Sequence, residues 1–190
     1  MKIIRLTETN FAKDESRQKE GAQDGWWGTL SLSPRDRRYG LVKLDFDGKD
    51  VFPCSKSEIL FSMLAREMRV PCADYLPIVT CFQGAETSGV FSQNFLGRDE
   101  TLLTASEVFG ASDTRGGRFY LLGDYENLIE KTPDPVGNFS VFFNRLFFSL
   151  AVMNVDFTQT FNMQLVYNRK TREYSVPPLY DLAVTEFYKL

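Results

Sequence analysis

The alternation of apolar and polar positions divides the chain into a strand-rich first half and a helix-rich second half. Ile3, Ile4 and Leu6 suit a short edge strand within a polar N-terminal stretch. Gly21 to Gly28 is a glycine-punctuated turn, and Thr29 to Ser33 alternates as a strand should. After the charged turn Pro34 to Arg38, the run Tyr39 to Phe46 reads as a second strand, with Lys43 set between Val42 and Leu44. Ser55 and Glu58 have the spacing of a helix capping box. Leu60, Met63, Leu64 and Met68 then recur at three- and four-residue intervals, which predicts a helix that Pro71 ends. Leu76 to Phe82 and Gly89 to Leu96 read as strands, and Thr104 to Gly110 as a short helix with a second capping box and a glycine stop.

Arg115 to Pro135, rich in Gly, Asp and Pro, reads as a connector. Asn138 is expected to cap a dense helix running through Met153, with Phe142, Phe143, Phe147 and Leu150 in its core face. Leu165 to Asn168 and Glu173 to Val176 flank a polar turn and predict a hairpin, followed by the loop Pro177 to Asp181. This order of elements predicts an α+β protein in two lobes: residues 1–97 with strands and one helix, and residues 98–190 with a reduced helical part.

Composition narrows the chemistry. With 190 residues and 43% hydrophobic content the chain can bury a core. Lys and Arg number 22 against 25 Asp and Glu, a net charge of -3 that gives no reason to propose a nucleic-acid binder, which needs a clustered basic surface. Histidine is absent, which excludes a Ser-His-Asp triad, a Cys-His pair and a His-ligated zinc. Cys54, Cys72 and Cys81 fit no metal spacing and are expected to be free thiols in a reducing cytoplasm. No apolar run reaches the length of a signal peptide or of a membrane span.

What remains is a set of parts suited to phosphoryl transfer. A glycine loop can bring backbone N–H groups to phosphate oxygens. A strand lysine, Lys43, can neutralise phosphates, and a helix glutamate, Glu58, can hold it. Asn154-Val155-Asp156, Asn162 and Asp181 follow around a short hairpin and can orient a hydroxyl and ligate Mg²⁺. On the bland reading, Lys43 is a surface lysine, Glu58 a cap residue, the glycines a hairpin turn and the two aspartates turn residues. Arg35, Arg37 and Arg38 form a basic hairpin tip, read as a solvated turn. Trp26 and Trp27 read as core between strands.

Gly21-Ala22-Gln23-Asp24 resembles the G-A-Q-[DE] phosphate loop of the HipA-like serine/threonine kinases, the toxin kinases of toxin–antitoxin modules. Glu58 with Leu64-Ala65-Arg66 resembles that family's E-x(5)-L-A-R helix. Asn154-Val155-Asp156 with Asn162 resembles its N-x-D-x-H-x-x-N loop, and Pro178-Leu179-Tyr180-Asp181-Leu182 its P-x-Y-D-L metal-binding segment. The motifs occur in order over roughly residues 20 to 185. The resemblance implies a kinase fold with ATP and Mg²⁺ as cofactors, a protein substrate, an antitoxin or other regulatory protein partner, no nucleic-acid or membrane binding, and a cytoplasmic location. It implies that Gly21, Ala22 and Gln23 lie over the ATP phosphates and that Lys43 contacts them while paired with Glu58. It further implies that Phe91, Ser92 and Gln93 form the hinge beside adenine, that Asp156 is the catalytic base, and that Asn162 and Asp181 ligate Mg²⁺.

The sequence departs from the family at stated places. Thr158 stands at the loop histidine position, one residue is inserted between Asp156 and Asn162, and Gly25 replaces a loop lysine. The family continues beyond the P-x-Y-D-L segment with a helical subdomain, whereas the sequence ends at Leu190. A short or truncated member is therefore expected, and an impaired, partner-binding pseudokinase module is the alternative to an active kinase.

Overall fold

A computed structural model describes residues 2–18, 24–45, 54–104, 107–108, 122–152 and 164–182. The elements in chain order are β1 (Ile4–Arg5), β2 (Phe11–Lys13), β3 (Gly25–Ser33), β4 (Asp36–Leu44), α1 (Cys54–Glu67), β5 (Tyr75–Phe82), β6 (Ala85–Gln93), β7 (Glu100–Leu103), α2 (Leu122–Ile129), α3 (Pro135–Ala151), β8 (Leu165–Asn168) and β9 (Glu173–Ser175). The chain divides into two compact units. The first comprises Met1–Met68, Cys72–Asn94 and Tyr180–Leu190, and the second Arg69–Pro71 and Phe95–Leu179.

The first unit is built on a 6-stranded sheet in the order β1-β5-β6-β4-β3-β2. β1 runs parallel to β5, and the other neighbours pair antiparallel. Residues directly opposite on paired strands share a face. Trp26, Val42, Phe91 and Leu76 therefore stand in one row, and Trp27, Leu41, Ser92 and Tyr75 stand in a row of the opposite face. The first face is the core: Leu6, Leu30, Val42, Leu44, Ile78 and Phe91 are buried there, with Ile4, Phe11, Trp26, Leu76 and Phe82 packed around them. Gly40 allows Phe91 its place, because a Cβ at position 40 would collide with the Phe91 ring and the Ser92 carbonyl. The β5–β6 hairpin closes through Gln83 and Gly84, both at positive φ, as a two-residue turn with the right twist requires.

α1 packs on β5 and β6. The apolar stripe that predicts this helix is not its buried face. Ser55, Ser57, Glu58, Phe61, Ser62 and Ala65 are buried, whereas Leu60, Met63, Leu64 and Met68 are exposed. The expected capping box is also replaced. Ser55 lies inside the helix, and Asp45, from the end of β4, accepts hydrogen bonds from the Ser55 amide (2.9 Å), the Ser55 hydroxyl (2.7 Å) and the Ser88 hydroxyl (2.6 Å). Glu58 is thus released from the cap and turned inward.

The second unit holds the 3-stranded sheet β7-β8-β9 and the pair α2 and α3. α2 falls where the sequence suggested a connector. Its Tyr125 and Ile129 form a core with Phe142, Leu165 and Val176. The second capping box is present: the Thr104 amide donates to Glu107 (2.7 Å) and the Glu107 amide to the Thr104 hydroxyl (3.3 Å). α3 is capped by Asp134, whose carboxylate accepts from the Gly137 amide (3.0 Å), with Pro135 in the first turn. Asn138, expected as the cap, lies within the helix. Its carbonyl accepts from the Val176 amide (2.8 Å) and its amide donates to the Thr132 hydroxyl (3.1 Å), so it ties α3 to the end of β9.

The inward face of α3 is Phe142, Arg145, Phe148 and Ser149. Phe147 and Leu150, expected in the core, are exposed. Phe139, Phe143 and Phe147 instead stack one turn apart along an outer flank of the helix, with ring centroids 6.1 and 6.2 Å apart. Phe148→Ala is expected to lower the unfolding free energy by about 3–5 kcal/mol. Phe147→Ala, at 64% exposure, is expected to change it by less than about 0.5 kcal/mol. Urea denaturation of both variants checks this, and equal losses would contradict the observed helix rotation.

Candidate functional site

The site lies on the face of the first unit's sheet opposite the apolar core. Strand alternation puts Lys43 there, because Val42 and Leu44 on either side of it point into the core. Lys43 Nζ lies 2.7 Å from Glu58 Oε1 and 2.7 Å from Asp181 Oδ1. Glu58 comes from the inward face of α1 and has no exposed side-chain surface, while the Asp181 side chain is 47% exposed. Asp181 follows the P-P-L-Y segment with φ 56°, a left-handed conformation that Asp adopts more readily than most residues. Its amide donates to the Tyr75 hydroxyl at 2.9 Å. Lys43, Glu58, Tyr75 and Asp181 thus form one connected cluster from four separate segments.

Electrostatics make this cluster unusual. Burial pushes the Glu58 carboxyl up to about 7, against the pull of the Lys43 ammonium. Burial alone would lower the Lys43 ammonium, but Glu58 and Asp181 together hold it well above its ordinary value. Burial also drives the Tyr75 phenol well up, with Glu58 adding to it. Cys72 nearby is pushed up to about 12 by burial, so its thiol stays protonated and unreactive. Among the described residues, Glu58 Oε2 is buried and finds no hydrogen-bond partner. A buried polar atom left in this state is costly, and such groups concentrate at functional positions.

The sequence-derived residues divide clearly. Lys43, Glu58 and Asp181 come together. Ser92 shares their face of the sheet, two positions along from the pair Lys43 and Val90. Phe91 and Gln93 point the other way: Phe91 is buried in the apolar core, and the Gln93 side chain accepts from Arg38 (3.4 Å). Gly21, Ala22, Gln23, Asp156 and Asn162 lie outside the described residues. Sequence reasoning missed Tyr75. Its partner amide lies 106 residues along the chain, and no local sequence signal marks it.

A second feature of the same face is an aromatic stack. Trp27 lies parallel to Tyr39, with ring centroids 5.7 Å apart and an angle of 18°. The Arg17 guanidinium sits 3.6 Å from the Trp27 ring centroid, and the Tyr39 hydroxyl donates to Asp14 (2.7 Å). These contacts fasten the stem that leads from β2 into the glycine segment. Trp26, by contrast, packs in the core.

Chemically, the cluster can hold an anionic oxygen at Lys43 and a hard cation at Asp181. Among the described residues no group of three or more His, Cys, Asp or Glu is placed to hold a metal ion. A cation at Asp181 would therefore complete its shell with water and ligand oxygens, which is how Mg²⁺ is ordinarily bound beside phosphates. Glu58 keeps the ammonium aimed while having one oxygen to spare. The residues fit a Mg²⁺–nucleotide phosphate group.

The α+β fold of the chain is kinase-like. The structure is similar to the proinflammatory kinase CtkA of Helicobacter pylori, with a TM-score of 0.67, 13% sequence identity, and 96% of this chain matched to 61% of that one. The chain thus spans about 61% of the length of that kinase. No family model matches the sequence, and no curated protein matches it. Among the described residues, no helix is long and apolar enough to cross a membrane.

The sign of the pH response follows from Glu58. Its folded value of about 7 lies above its ordinary 4.5, so the native state binds more protons than the unfolded state between these values. Stability therefore falls as pH rises from about 4.5 to about 7. Chemical denaturation across this range is expected to show the decline in the wild type and a flatter profile in Glu58→Gln. The same slope in both would assign the pH dependence to other groups.

Proposed function

We propose that the chain is an ATP- and Mg²⁺-dependent serine/threonine kinase module of the HipA-like type, which transfers the γ-phosphate to a protein hydroxyl. The observation that carries this reading is the Lys43 ammonium shared by buried Glu58 and half-exposed Asp181, in a kinase-like fold. The ordered motifs from Gly21 to Leu182 support it. Glu58 holds Lys43 against the sheet, and Lys43 receives the inner phosphates. Asp181, with Asn162, supplies oxygens to Mg²⁺, and Asp156 accepts the substrate proton. Bound Mg·ATP supplies the phosphoryl group and a metal that offsets its charge. Ser92, on the Lys43 face, is the hinge position best placed beside the base. A cytoplasmic location, a protein substrate and an antitoxin-like regulatory partner belong to the same reading.

A second reading is a catalytically impaired kinase-like module that works by binding a protein. The exposed apolar side chains Val136, Phe147 and Leu150 on α3 favour it, together with Thr158 in place of the loop histidine.

Phosphate transfer from γ-labelled ATP to the chain itself and to a generic protein separates the two. On the kinase reading, Lys43→Met, Asp156→Asn and Asp181→Asn each lower transfer by at least about a hundredfold while the folded state persists by circular dichroism. Undiminished transfer in Lys43→Met and Asp181→Asn would overturn the reading. No transfer by the wild type would favour the binding module.

A further inference from the structure

We propose that Tyr75 is a positioning residue, which sets Asp181 for its ligand by holding the backbone of residue 181 in place. Asp181 stands in the left-handed region, at φ 56°, outside any helix or strand. Its main chain is attached through its amide to the Tyr75 hydroxyl oxygen (2.9 Å), and its side chain through Oδ1 to Lys43 (2.7 Å). The first attachment is available only if the residue on β5 is long, buried and polar at its tip. Tyr75 is 3% exposed and in register with Ser92, so its ring is buried on the Lys43 face of the sheet while its hydroxyl reaches residue 181. A phenylalanine would fill the same volume and leave the amide without its acceptor.

The chemistry favours this division of labour. A left-handed non-glycine residue costs of order 1 kcal/mol and persists where neighbours over-determine it. Lys43 cannot supply that constraint alone, because its ammonium must be able to turn from the Asp181 carboxylate to a phosphate when nucleotide arrives. A neutral phenol accepting from the backbone keeps the residue in place through that exchange. The arrangement assigns a metal-affinity role to a residue that touches neither metal nor nucleotide. This inference rests on the nucleotide-site reading for its functional consequence, but the hydrogen bond can be tested without it.

The test is Tyr75→Phe with two readouts. Amide hydrogen exchange is measured first, in the absence of ligand. The wild-type Asp181 amide is expected to exchange roughly tenfold or more slowly than in a free peptide, and Tyr75→Phe to remove most of that protection while β5 and β6 amides keep theirs. An unprotected Asp181 amide in the wild type, or equal protection in the variant, overturns the proposal. ADP binding is then titrated with and without Mg²⁺. The Mg²⁺ concentration giving half of the metal-dependent enhancement is expected to rise about tenfold in the variant, with metal-free ADP affinity within about twofold of wild type. A change in both affinities alike would indicate general loosening and also overturn it. If the wild type binds no ADP at any Mg²⁺ concentration, the nucleotide reading fails. The exchange measurement then decides alone whether Tyr75 positions Asp181.

Discussion

A lysine ammonium placed on the covered face of a sheet must be matched by carboxylate, because an unmatched buried charge costs several kcal/mol. Lys43 is such a group, and the first unit is arranged around it. Its match, Glu58, has no exposed surface, so the helix carrying it has to present Glu58 to the sheet. That requirement turns α1 about its axis. The residues brought inward with Glu58 are Ser55, Ser57, Phe61, Ser62 and Ala65, most of them small enough to let the helix approach closely. The residues carried outward are Leu60, Met63, Leu64 and Met68. One ion pair therefore outweighs the helix's own hydrophobic stripe.

This is also why the sequence was only partly legible. The strands β3 to β6 and the β8–β9 hairpin follow from local alternation and turn chemistry and were readable, but not in all their bounds: Gly25 to Gly28, expected in a turn, open β3, and β6 begins at Ala85 rather than Gly89. The S-x-x-E spacing at Ser55 was read through the same local logic, but the cap came from Asp45, ten residues earlier and on another element. The apolar stripe of α1 and the Phe147 and Leu150 positions of α3 misled for a shared reason. Periodicity reports that a helix has an apolar face, not that this face is the covered one. On α3 the covered face mixes Phe142 and Phe148 with Arg145 and Ser149, which no hydrophobic count selects. β2 and β7 pair with β3 and β8 across long stretches of chain, so no local hairpin turn marks them, and α2 was hidden in a segment whose Gly and Pro content reads as a connector.

The site was legible where a motif coincided with strand parity. Lys43 was marked as a lone charge inside an apolar strand, and Glu58 and Asp181 by their motifs. Parity also separates the expected hinge residues: Ser92 faces Lys43, while Phe91 and Gln93 face away. Tyr75 could not be found this way. Its role is visible only as a hydroxyl meeting an amide 106 residues along the chain, and nothing local in the sequence encodes so distant a pairing.

The cluster is poorly arranged for stability alone. It buries two charges, leaves Glu58 Oε2 without a partner among the described residues and holds Asp181 at positive φ. A core of similar volume made of apolar residues would often be at least as stable. The same features suit a ligand that brings its own charge. On the proposed reading, a phosphate would give the ammonium an anionic partner and a cation would give the Asp181 carboxylate a counterion, relieving the competition of two carboxylates for one ammonium. Lys43, Glu58, Tyr75 and Asp181 all belong to the first unit. On the kinase reading, a protein that had lost phosphate transfer could still keep its grip on the nucleotide with the whole cluster intact.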